Sequence, residues 1–183
     1  LTAANIAISY AMLGKKTLLI DADMRKPTQR RLWKVDISTG LCDFLAGMGP
    51  LELVKVENLP LSIVCTGTIP PNPSELLASD IMKQFIKRCT KSYDYVIIDA
   101  PPLGVVIDAV IIGKYCDGAV LVIEQGVIKR KVVQDVIKQL KRGEVRILGA
   151  VLNKVDERIG AYGAYDYKYS YSYYGDSDAE DRH

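Results

Sequence analysis

The chain has 183 residues, 49% of them hydrophobic and 25% charged, with a net charge of +2. That length suits one domain with a full hydrophobic core. So small a charge argues against nucleic acid, or an anionic membrane surface, as a partner held by bulk electrostatics, and no apolar run nears the roughly 20 residues that span a bilayer.

In chain order, residues 1–13 are rich in alanine and apolar residues and read as a helix ended by Gly14. Their pattern has neither the basic leader nor the cleavage site of a signal peptide. KTLLIDAD, residues 16–23, is a short apolar run closing on two aspartates, the pattern of a strand buried on both faces of a parallel sheet. Further strand candidates are LSIVCTG (61–67), YDYVIIDAPP (93–102), GAVLVIEQG (118–126) and VRILGAVLNKV (145–155). Between them, SELLASDIMKQFIKRCTKSY (74–93) reads as one helix introduced by Pro73 and Ser74. IKRKVVQDVIKQLKR (128–142) reads as a second, its basic residues forming a solvated face. Strands alternating with helices predict an α/β fold, a mostly parallel sheet with helices on both faces. Ligands in such folds sit at the carboxyl ends of the strands.

The four cysteines, Cys42, Cys65, Cys89 and Cys116, form no C-x-x-C pair and read as buried, reduced thiols of a cytosolic protein. His183 is the only histidine and stands last, which argues against a histidine-based catalytic centre. From about residue 159 aliphatic residues give way to Tyr, Ser, Gly and Asp, so we divide the chain into a folded domain, 1–158, and a flexible tail, 159–183. The tail holds seven of the eleven tyrosines, within YGAYDYKYSYSYY at 162–174.

The chemistry concentrates at strand ends. Asp21 and Asp23 follow one apolar run and Asp99 follows another, so all three are expected to project from one end of a buried sheet. Carboxylates converging there would hold a hard cation such as Mg2+, directly or through its waters, and one could orient or deprotonate an attacking hydroxyl. The plainer alternative is that one or two of them cap the next helix or turn.

KKTLLIDADMRKP (15–27) resembles the Walker A′ segment of the bacterial tyrosine kinases of capsular and exopolysaccharide biosynthesis, and YDYVIIDAPP resembles their Walker B segment. TAANIAISYAMLGKK (2–16) resembles the helix after their phosphate-binding loop, and GTIPPNPSELLAS (67–79) another segment of theirs. The tyrosine cluster completes the likeness, which covers nearly the whole chain in the family's order. It implies a P-loop NTPase-like fold and ATP with Mg2+ as cofactors. Asp21 then resembles the aspartate that activates or aligns the acceptor hydroxyl. Asp23 resembles the second A′ aspartate, near the metal, and Asp99 the Walker B aspartate that orients Mg2+ through water. Asn153 resembles an asparagine that helps hold adenine, or is a turn residue at a strand end. Arg25 would contact phosphate or a neighbouring subunit, or is a solvated base.

The sequence departs from the family in two places. No G-x-x-x-x-G-K-[ST] loop occurs in these 183 residues. Its amides cradle phosphates and its Lys and hydroxyl serve the phosphates and Mg2+. The chain as given, without that loop and the strand before it, is therefore expected to be inactive, the parent protein active. In VIEQGVIKRK (122–131) the loop directly after the GAVLVIE strand also lacks the arginine expected there.

The resemblance implies autophosphorylation at Tyr162, Tyr165, Tyr167, Tyr169, Tyr171, Tyr173 and Tyr174, performed in trans within a homo-oligomeric ring that loosens as phosphate charge accumulates. It also implies a membrane-protein activator of polysaccharide export, and so a cytoplasmic chain held at the inner face of the membrane through that partner. Two other functions fit parts of the sequence: a ParA/MinD-like switch ATPase, which has no use for clustered tyrosines, and a non-catalytic regulatory adaptor whose tail is a docking string.

Overall fold

A computed structural model describes residues 1–104 and 106–155. Helix α1 (Thr2–Met12) buries Ala4, Ala7 and Ala11, a narrow stripe of small side chains at helical spacing that lets the helix lie close on the sheet. Gly14, at φ +75°, takes the left-handed turn that reverses the chain into β1 (Thr17–Asp21), every residue of which is buried. Short elements follow: α2 (Gln29–Leu32), α3 (Leu41–Leu45), β2 (Val54–Lys55) and β3 (Leu61–Val64). Then come α4 (Pro73–Ala78), α5 (Asp80–Ser92), β4 (Tyr95–Asp99), α6 (Asp108–Gly113), β5 (Ala119–Glu124), α7 (Arg130–Arg142) and β6 (Ile147–Asn153).

The main sheet has the order β2-β3-β1-β4. β1 runs parallel to both neighbours, and its register with β4 sets Asp21 directly beside Asp99. β2 is an antiparallel edge on β3. β5 and β6 form a separate parallel pair, with a register irregularity at Ala119 and Val120. Alternation along β1 fills two cores. Leu18 and Ile20 face Leu41, Leu77, Met82, Phe85 and Ile86 on one side. Leu19 faces the alanines of α1, with Ile37, Leu61 and Ile63, on the other. The fold is therefore the α/β arrangement expected, with helices on both faces of a mostly parallel sheet.

The details differ in three ways. The single helix expected over 74–93 is two, because Ser79 takes an extended conformation. There its hydroxyl donates to the Leu76 carbonyl at 2.7 Å, and its oxygen accepts from the Met82 amide at 3.2 Å, capping α5. Only β1 and β3 are buried on both faces; β4 is the last strand of its described sheet and is half-exposed, as are β5 and β6. The short elements α2, α3, α6 and β2, of two to six residues, are too brief to show a hydrophobic period. In α7 only Leu140 is buried and the basic residues are exposed, the solvated face expected. All four cysteines are free thiols, three buried and Cys116 half-buried. No described helix is long and apolar enough to cross a membrane. The boundary expected at residue 158 and the tail, 159–183, lie outside the described residues.

Candidate functional site

The site is built at the carboxyl ends of β1 and β4. Asp21 ends β1, fully buried. One of its oxygens accepts from the Asp23 amide at 3.3 Å. The other accepts from the Thr28 and Gln29 amides at 3.0 and 2.9 Å, which satisfies the first turn of α2. Burial pushes the Asp21 carboxyl up to about 6, the Asp99 charge adds to the rise, and the three backbone amides oppose it. The capping alternative thus holds for Asp21, yet the same burial brings this group near neutrality.

Asp99 ends β4. One of its oxygens, Oδ2, accepts from Gln29 Nε2 at 2.6 Å. Asp23 closes its own turn, Oδ1 accepting from the Arg25 and Lys26 amides at 3.1 and 2.9 Å. Asp99 and Asp23 each keep a second carboxylate oxygen with no hydrogen bond among the described residues. Those residues contain no group of three His, Cys, Asp or Glu side chains able to hold a metal ion. The direct three-carboxylate chelate that the sequence allowed is therefore not formed among the described residues.

Arg25 makes a definite contact. Its Nε donates to Asp108 Oδ2 at 2.8 Å, and its Nη2 reaches Ser74 Oγ at 3.2 Å. Ser74 donates to Asp108 Oδ1 at 2.6 Å. Burial alone would raise Asp108, but the guanidinium and the hydroxyl outweigh it and hold its carboxyl below the ordinary value. The network ties the turn after β1 to the first turns of α4 and α6. We expect Arg25→Ala to lower the urea midpoint clearly more than Arg30→Ala. Arg30 pairs with Asp36, which is 99% exposed, whereas Asp108 is 1% exposed and would lose its cation.

Asp43 fixes the next loop, accepting from the Gly40 and Thr68 amides at 2.8 and 3.1 Å, with Gly67 at φ +78° packed against it. Asn153 ends β6 and its carbonyl accepts from the Gln125 amide at 3.0 Å. It lies on the β5–β6 pair, which shares no strand pairing with the sheet that carries the aspartates. The tyrosines of the tail fall outside the described residues. Gln29, Ser74 and Asp108 were not expected at the site. Ser74 was visible only as a helix start, and nothing in the sequence signalled Gln29 or Asp108.

A mostly parallel sheet whose adjacent strands end on carboxylates is the arrangement of an α/β ligand-binding domain, with its site at the strand ends. Comparison with known proteins narrows the class. An AAA domain family model matches residues 1–142. "Tyrosine-protein kinase CpsD" of Streptococcus agalactiae is 40% identical over 167 residues, which are 90% of this chain and 73% of that protein. The kinase domain of the Escherichia coli tyrosine kinase ETK superposes with a TM-score of 0.82 at 34% identity, over 85% of this chain and 62% of that one. The septum site-determining protein MinD of Pyrococcus horikoshii, complexed with Mg-ADP, shares the fold alone, with a TM-score of 0.68 at 24% identity over 85% of this chain and 65% of that one. The chain belongs to the AAA domain family and, within it, to the bacterial tyrosine-protein kinases.

Proposed function

We propose that the protein is an ATP-dependent tyrosine kinase that autophosphorylates its own C-terminal cluster and so regulates capsular or exopolysaccharide synthesis and export. The observation that carries this reading is the in-register pairing of Asp21 and Asp99 at adjacent parallel strand ends, in a chain that also holds seven tyrosines within 162–174.

The chemistry follows from these residues. The tyrosine oxygen forms a bond to the γ-phosphorus of ATP as the bond to the β-phosphate oxygen breaks and ADP leaves. Asp21, buried in this structure and with a carboxyl at about 6, would take the phenolic proton once an acceptor hydroxyl reaches it. Asp99 and Asp23 would hold a Mg2+ through its waters, and the cation would neutralise charge on the phosphoryl group in transfer. Asn153 is assigned to the adenine side.

Each phosphate adds roughly −1.5 to −2 charges at neutral pH. Several of them within thirteen residues, with Lys168 as the only cation and Asp166 alongside, repel one another. That repulsion drives the tail from a neighbouring subunit's site and loosens the ring. A membrane-protein activator would place this cytoplasmic chain at the inner face of the membrane.

Changing all seven tail tyrosines to phenylalanine in the full-length protein is expected to abolish the phosphotyrosine immunoblot signal while nucleotide binding persists. An undiminished signal would contradict the assignment of the tail as acceptor. A switch ATPase would hydrolyse ATP and give no phosphotyrosine signal in either protein.

A further inference from the structure

One buried polar side chain connects the parts of the site. Gln29 is 0% exposed. Its backbone amide donates to Asp21 at 2.9 Å, its Nε2 donates to Asp99 Oδ2 at 2.6 Å, and its Oε1 accepts from Trp33 Nε1 at 3.1 Å. An indole nitrogen can only donate. Trp33 therefore fixes which way the Gln29 amide faces: the oxygen must meet the indole, so the NH2 must meet Asp99. A flipped amide would set two donors against each other on one side and two acceptors on the other.

We propose that Gln29 is a positioning residue for the cation site, and that Trp33 is its orienting partner. Gln29 holds one oxygen of Asp99 and thereby leaves the other to the waters of a bound Mg2+. The arrangement is that of an outer-shell partner, which locks the orientation of a metal-facing carboxylate without touching the metal. It also makes Trp33, the one tryptophan of the chain, a reporter of the site, because any charge arriving at Asp99 polarises the Gln29 amide and the indole N–H behind it. This inference rests on the nucleotide-and-Mg2+ reading of the site.

The test uses full-length protein with ADP and a titration of Mg2+. Binding is followed by calorimetry and by the indole N–H resonance, which is assigned by its loss in Trp33→Phe. In the wild type the resonance is expected to move when Mg2+ joins ADP and to stay in place with ADP alone. Gln29→Met keeps the volume but removes both hydrogen bonds. It is expected to weaken Mg2+ binding about tenfold with metal-free ADP affinity unchanged, and to erase the Mg2+-dependent shift. Trp33→Phe keeps the ring packing and removes only the donor. It should weaken Mg2+ binding in the same direction by less, and the double variant should be no worse than Gln29→Met alone. Trp33→Phe also stands as the deciding variant if Gln29→Met does not fold. Equal Mg2+ affinity in all four proteins would overturn the inference and leave the kinase reading intact. Failure of the wild type itself to bind Mg-ADP would overturn both.

Discussion

Asp99→Asn is expected to lower tyrosine phosphorylation by the full-length protein about 100- to 1000-fold while leaving the fold intact. The asparagine side chain has the same shape. Its carbonyl oxygen can still accept from Gln29 Nε2, so the buried amide keeps a partner. Its NH2 then occupies the position of the free Asp99 oxygen and presents a donor where the waters of a cation need an acceptor. The same substitution removes the negative charge that helps raise the Asp21 carboxyl, so that group should titrate lower. Initial rates at saturating Mg-ATP, with circular dichroism as the control for folding, check the result. A rate within a few-fold of wild type would remove Asp99 from the site.

Asp21→Asn is expected to change stability in a pH-dependent way and to lower activity about 100- to 10,000-fold. The folded carboxyl titrates at about 6, against 3.8 for an unperturbed aspartate. Between those values the folded protein binds a proton that the unfolded chain does not. Asp21 therefore costs stability as pH rises from about 4 to about 6, by about 3 kcal/mol at most above that range. Asparagine cannot ionise, and its oxygen can still accept from the Thr28 and Gln29 amides. It loses the longest of the three contacts, at 3.3 Å to Asp23, and sets its NH2 against that amide, a cost that is the same at both pH values. Urea unfolding at about pH 4 and about pH 7.5 should show the variant gaining on the wild type at the higher value. Asp43 and Asp108, both held below the ordinary value, act with the opposite sign. The stability they bring is present above the ordinary carboxylate range and lost as pH falls, and it cancels in the comparison because both proteins keep them. Parallel pH curves for the two proteins would show that Asp21 does not titrate near neutrality.

Both expectations concern carboxylates that the sequence shows, and both depend on contacts that it does not. An apolar run ending in aspartate declares a buried strand and the carboxylate at its tip, so the ends of β1 and β4 were visible as sequence. Their register was not, because strand order is decided by contacts between distant segments. Gln29 reaches Asp99 across 70 residues, Arg25 reaches Asp108 across 83, and Ser74 reaches Asp108 across 34. None of the three carries a local signal, since glutamine, serine and an isolated aspartate are ordinary surface residues until a fold buries them. Asp21 shows how a structural and a chemical role can coincide. The three amides that make it a cap also make its burial tolerable, and that burial moves its proton affinity toward neutrality. The break at Ser79 was hidden for a different reason, because the hydrophobic positions of α4 and α5 keep helical spacing across it.

The most direct test of the kinase reading is mass spectrometry of the full-length protein incubated with Mg-ATP, with peptide mapping of the tail. The account predicts gains in multiples of about 80 Da, one per phosphoryl group, confined to tyrosines within 162–174 and missing in Asp99→Asn. A tail that stays at its original mass while ATP is consumed would contradict it and mark the protein as a switch ATPase.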